Sequence, residues 1–124
     1  MYLRFTTCLH SGGRCLSRGI LQDFHDLIGD FRAEHRIREA RDHLRWFNLR
    51  LRVPPREVFR SGLGRCWFRP QSAEFLDRMR SWRVLLGQEG IPAREVASRD
   101  PGMITYQDPH QIVAVPYAWA WWRR

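Results

Sequence analysis

The sequence contains no lysine. All 21 basic residues are arginine, against 13 acidic residues, and the formal net charge is +8. An arginine-only composition is typical of a GC-rich genome, but the positive surface is real whatever its origin. A surface of this charge attracts polyanions such as nucleic acid, or acidic proteins, and so predicts the kind of partner while leaving the fold open.

Cysteine and long apolar runs are also scarce. Cys8, Cys15 and Cys66 are odd in number and irregularly spaced, which argues against the disulfide framework of a small secreted domain. The longest apolar run, 112–122, contains a proline and is far shorter than the roughly 20 residues that cross a bilayer. Since no charged and then apolar leader opens the sequence, we expect a cytoplasmic protein that does not insert into a membrane.

The first half of the chain predicts one strand and two helices. The residues 2–5 are aromatic and branched and predict a strand, and the glycines within 11–13 predict a turn after it. Apolar residues at helical spacing over 20–31 predict a first helix, and Asp30 is a candidate N-cap for the next one. Apolar residues three and four apart over 33–51 predict the longest helix.

The second half predicts strands around one more helix. A strand is expected at 65–69, a helix at 75–86 and a strand at 93–97, followed by a hairpin of 103–107 and 111–115. The 124 residues suit a single domain, 1–124. We therefore predict an α+β fold, with a small mixed or mainly antiparallel sheet, about three helices packed on it and a C-terminal β-hairpin.

Two arginine-rich segments are the candidate contact surfaces. The segment 49–69 holds six arginines and one acid, Glu57, interleaved with aromatic residues, a combination that suits a phosphate backbone and its bases. The last residues combine Trp and Arg, which anchor interfaces, although a strand that closes the core explains them equally well. The candidate contact residues are Arg50, Arg52, Arg56, Arg60, Arg65, Trp121, Trp122, Arg123 and Arg124.

These features favour a binding or accessory protein over an enzyme. The expected partner is nucleic acid, a nucleoprotein or an acidic protein surface, with no cofactor. Small arginine-rich proteins of this kind are common among mobile-element and phage accessory factors. No metal site is expected, because the spacing of Cys8, His10 and Cys15 matches no common zinc site.

Parts of the second half resemble a known family. The stretches CWFRPQSAEFLDRM (66–79) and PGMITYQDPHQIVAVP (101–116) look like a widespread family of small bacterial proteins without an established activity. The resemblance covers roughly the second half of the chain. It supports the boundaries of the fold and implies no mechanism.

A second resemblance implies an enzyme. The opening YLRF, the central aromatic strand that leads into a helix, and the late DPHQIVAVP are similar in order to small ADP-ribosyltransferase domains. That resemblance implies an NAD-using site in which Arg4 holds the dinucleotide, Trp67 or Tyr106 stacks on the nicotinamide, and Asp108 or Gln111 engages the ribose. The Ser-Thr-Ser and Glu-x-Glu elements of those domains are missing here. A turn-forming role explains Asp108 without any catalysis.

Overall fold

The computed structural model describes residues 1–11, 14–21 and 24–117, with the side chains of 8–11 and 14–18 excepted. The strands are β1 Tyr2–Ser11, β2 Arg14–Gly19, β3 Arg65–Phe68, β4 Ala93–Ser98, β5 Met103–Gln107 and β6 Gln111–Val115. The helices are α1 Phe24–Ile28, α2 Glu34–Arg50 and α3 Ala73–Gln88, with a 3₁₀ helix at Arg56–Phe59. The strand pairings are antiparallel, and the predicted α+β class is confirmed.

The sheet is organised around β1, which pairs along both of its edges. Thr6 pairs with both β2 and β4, and Leu3 pairs with both β3 and β4. Since β4 occupies one edge from Tyr2 to Thr7, β2 and β3 share the other. Along the shared edge, β1 pairs with β3 at Leu3 and with β2 from Thr6 onward, so the change of partner falls at Arg4 and Phe5. Beyond β3, the sheet continues through β6 to β5.

The helices bury an aromatic core against this sheet. Trp82 of α3 is 1% exposed, and its rings pack against Phe24 and Phe31. The indole Nε1 donates a hydrogen bond of 3.0 Å to the carbonyl of Ile20. This bond satisfies the one polar group of the buried ring and ties α3 to the segment that follows β2.

A second aromatic group places the end of α2 over β3. Phe47 of α2, Phe68 of β3 and Phe75 of α3 have ring centroids 6.1 to 6.3 Å apart. All three are at most 7% exposed. Ring pairs at this separation add specific contacts to the burial of apolar area, so the last turn of α2 is held close to the centre of the sheet.

The N-terminal part differs from the sequence-based expectation. The first strand runs to Ser11 and returns as β2, where a turn leading to a helix from Ile20 was expected. Helix α1 begins only at Phe24, and the N-cap of α2 is Ala33 rather than Asp30. The physical reason is that β1 offers a free edge beyond β3, and pairing β2 to that edge satisfies its backbone better than a helix does. The other predicted helices and strands are present.

Gly102 provides a test of this packing. Its φ is +146°, and a Cβ placed there would lie 2.1 Å from the carbonyl oxygen of Val115. Gly102→Ala must push β6 aside, and we expect it to lower the free energy of unfolding by about 3 kcal/mol. Gly90 also has a positive φ but faces open space, so Gly90→Ala should cost only about 1 kcal/mol. Equal losses in urea unfolding would contradict this account.

Candidate functional site

A cavity of about 220 Å³ lies where the partner of β1 changes. At this point the edge of β1 stops pairing with β3 and begins to pair with the end of β2. The rest of the wall comes from the last turn of α2 and from the segment 51–54 that follows it. Most of the wall is apolar, and the apolar lining includes Phe5, Ile20, Phe47, Leu51, Pro54 and Phe59. An apolar pocket with a few convergent polar groups is the usual form of a small-molecule site.

Gln111 is the most deeply buried polar residue of the wall, at 2% exposure. Its Nε2 donates to the carbonyl of Arg52 at 2.6 Å and to Oδ2 of Asp108 at 3.2 Å. Because both partners are acceptors, the orientation of the amide is determined, and Oε1 is left as the acceptor. Within the part of the chain that the structure describes, no donor reaches this oxygen.

Asp108 closes the turn between β5 and β6. Its Oδ1 accepts from the backbone N–H groups of His110 at 2.9 Å and Gln111 at 3.0 Å, and its Oδ2 accepts from the Tyr106 hydroxyl at 2.8 Å and from Gln111 Nε2. Burial raises the pKa of Asp108, but these hydrogen bonds outweigh it and hold the pKa below its usual value. The carboxylate is therefore charged and its acceptor positions are filled.

Cys66 contributes a thiol to the same wall. Burial raises its pKa to about 11, and the nearby charge of Arg4 only partly opposes this shift. A thiol with such a pKa is neutral at physiological pH and is a poor nucleophile. Arg4 itself lines the cavity and is 7% exposed, so the wall combines a neutral sulfur with a buried guanidinium.

The residues implied by the ADP-ribosyltransferase resemblance do come near one another. Arg4 and Gln111 line the cavity, while Tyr106 and Asp108 are joined to it through the hydrogen bond to Gln111. The Asp108 carboxylate already accepts four hydrogen bonds. This geometry matches a turn-forming residue and does not favour a catalytic acid.

The arginine-rich segment after α2 is fastened to the β5–β6 hairpin at two points. Gln111 Nε2 donates to the carbonyl of Arg52, and Thr105 Oγ1 donates to the carbonyl of Val58 at 2.5 Å. Hydrogen bonds to side chains of the hairpin restrain the backbone of a connection that contains no strand or α-helix. The segment therefore holds its side chains on a defined surface.

The five predicted contact arginines of this segment differ in their surroundings. Nη1 of Arg65 donates to the carbonyls of Gly62 at 2.6 Å and Gly64 at 3.0 Å, so it folds back on the loop before β3. The guanidinium of Arg50 lies 4.6 Å from the ring centroid of Trp46 and stays exposed. The remaining three, Arg52, Arg56 and Arg60, are exposed as well.

The ion pairs of Arg36 and Arg80 lie away from this segment. They occur within α3, between α3 and β4, and between α2 and the residue after α3. Arg50, Arg52 and Arg56 take part in none of them. The predicted second patch, Trp121, Trp122, Arg123 and Arg124, lies outside the residues that the structure describes and stays a prediction.

Sequence reasoning missed the cavity. Phe47, Leu51 and Met79 fit ordinary apolar positions of helical stripes, and nothing local distinguishes a cavity wall from a filled core. The available signal is the pair Pro54-Pro55, which disfavours helical backbone at Val53 and Pro54 just after α2 ends. That signal marks a connection with exposed backbone but does not say which strand lies beneath it.

Comparison with known proteins adds no relative. No family model matches the chain, and none of the curated proteins or solved structures matches it. Both resemblances stay predictions. Over the described ranges, no helix is long and apolar enough to span a membrane, and no three His, Cys, Asp or Glu side chains are grouped to hold a metal ion.

The Asp108 network can be tested by two substitutions. Asp108→Asn keeps the oxygen that accepts from the backbone but loses the one that accepts from Tyr106 and Gln111. We expect it to lower the free energy of unfolding by about 2 kcal/mol. Tyr106→Phe removes one of these hydrogen bonds and should lower the free energy of unfolding by about 1 kcal/mol. The pKa of Asp108 is lowered in the folded state, so its contribution is present above the unfolded value of 3.8 and is lost as the pH falls through the folded value.

The difference between the wild type and Asp108→Asn should therefore shrink from about pH 7 to about pH 2. Urea unfolding at a series of pH values measures it. A difference that stays constant over that range would show that the charge of the carboxylate contributes nothing.

Proposed function

We propose that the protein binds a polyanion, in the first place nucleic acid, through the basic surface formed by Arg50, Arg52, Arg56 and Arg60. One observation supports this most directly. Arg50, Arg52 and Arg56 lie in a segment, 49–69, whose one acid is Glu57, whereas the other arginines of α2 alternate with acids. They are exposed and form no ion pair in the part of the chain that the structure describes. Guanidinium groups left available in this way can each replace a counterion on a phosphate backbone.

The packing around Trp46 supports the same proposal. Arg50 and Arg78 lie over its ring, at 4.6 and 4.9 Å from the centroid. Stacking on an aromatic ring restricts a guanidinium to a plane and lowers the entropy that it loses on binding a phosphate. Arg78 extends the positive field from the segment after α2 onto α3.

An acidic protein is the competing partner for this surface. Leu49 and Val53 are 75% and 82% exposed beside Arg50 and Arg52, and apolar groups of this kind contact protein partners as readily as bases. Nucleic acid is favoured because its backbone carries a continuous row of phosphate charges, and each arginine that binds there releases a condensed counterion. No catalytic step is part of the proposal.

The proposal predicts a binding reaction that weakens steeply with salt. Fluorescence anisotropy of labelled single-stranded and duplex oligonucleotides measures the affinity of the wild type and of the triple variant Arg50→Ala, Arg52→Ala, Arg56→Ala. We expect the triple variant to bind more weakly and to reduce the slope of log K against log salt by roughly 2 to 3, one counterion for each arginine removed.

The control carries the same loss of net charge elsewhere. Arg38→Ala, Arg41→Ala, Arg45→Ala removes three exposed arginines of α2 that are interleaved with acidic residues, and it should retain most of the affinity. Equal weakening in the two triple variants, or an affinity insensitive to salt, would refute the basic surface as the binding site. Full competition by polyglutamate at equal charge concentration would point to an acidic protein instead.

A further inference from the structure

The cavity beside β1 has the size of a small-molecule site. A dry cavity of roughly 150 Å³ takes up benzene, so about 220 Å³ leaves room for one aromatic ring with a short substituent. The wall residues that keep accessible surface include Leu51, Pro54 and Phe59, which are half-buried. Such a wall favours an apolar body in the ligand.

Gln111 supplies one specific polar contact. Both hydrogens of its Nε2 are used by the carbonyl of Arg52 and by Asp108, while Oε1 accepts no hydrogen bond among the described residues. Because Gln111 lines the cavity, this oxygen can accept a hydrogen bond from a ligand hydroxyl or N–H there. The ligand should therefore carry one hydrogen-bond donor.

Arg52 supplies the opposite kind of contact at the mouth of the cavity. The residue lines the cavity and is exposed, and its guanidinium makes no hydrogen bond or ion pair within the described ranges. The neighbouring Val53 is 82% exposed, so the mouth opens to solvent here. The Arg52 guanidinium is therefore available to pair with the anionic group of a ligand.

We infer that the cavity binds a small aromatic acid that carries a hydroxyl or N–H donor. The ring lies against Leu51, Pro54 and Phe59, the donor bonds Gln111 Oε1, and the acid group pairs with Arg52. This site is independent of the proposed binding of a polyanion, although Arg52 belongs to both. No covalent step is involved.

A matched set of probes tests each contact separately. The three isomers of hydroxyphenylacetate carry donor and acid, phenylacetate lacks the donor, p-cresol lacks the acid, and toluene lacks both. We expect at least one hydroxyphenylacetate isomer to bind with a Kd between roughly 10 µM and 1 mM, a range set by its few non-hydrogen atoms. Removal of the donor or of the acid should each weaken binding by about tenfold.

Two-dimensional NMR titration measures these affinities and locates the probe, because the side-chain amide signals of Gln111 should shift. Arg52→Gln should reduce the affinity for the best acid to that for p-cresol and leave p-cresol unaffected. Failure of every isomer to bind, or equal binding of all six probes, would overturn the inference.

A cavity-blocking variant separates this inference from the proposed function. Leu51→Trp places a large ring at the half-buried edge of the cavity and should abolish binding of the acids while oligonucleotide binding persists. Leu49→Trp makes the same change two residues earlier at a site that is 75% exposed, and it should leave the binding of the acids intact. If Leu51→Trp binds hydroxyphenylacetate as the wild type does, the cavity is not its site.

Discussion

The structure depends on one strand whose edge serves two partners. Buried backbone N–H and C=O groups must be paired, and β1 meets this requirement with β4 along one edge and with β3 and then β2 along the other. At the change of partner, the N–H of Ile20 donates to the carbonyl of Phe5 at 3.0 Å. Strands β3 and β2 pair with successive parts of the same edge of β1, and the cavity lies at the point between them.

The polar groups of the cavity wall link this core to the surface. Asp108 holds Gln111, and Gln111 holds the carbonyl of Arg52, so the turn of the hairpin is connected to the segment that follows α2. The same segment carries the arginines of the basic surface. A ligand in the cavity and a polyanion on the surface would thus act on one restrained piece of chain, with Arg52 common to both.

Sequence patterns predicted burial better than they predicted secondary structure in the first third of the chain. Ile20, Phe24, Leu27 and Phe31 are spaced as in a helix, and all four are buried, yet only Phe24 and Leu27 belong to α1. Ile20 lies in the turn after β2, and Phe31 lies in the loop before α2. The helical stripes of α2 and α3 were predicted correctly because each helix is long enough for its period to be unambiguous. Strand β2 lies at the end of the described strand order, next to β1, and its sequence has no period that requires a strand.

The sequence by itself determined the positive charge, the two long helices and the C-terminal hairpin, because charge, periodicity and turn residues act between neighbours along the chain. Only the tertiary structure decided that Arg4, Cys66 and Gln111 face one cavity and that Asp108 is saturated. Those facts depend on which distant strands share the edge of β1. Register and strand order are set by non-local packing, which no local pattern in a single sequence encodes.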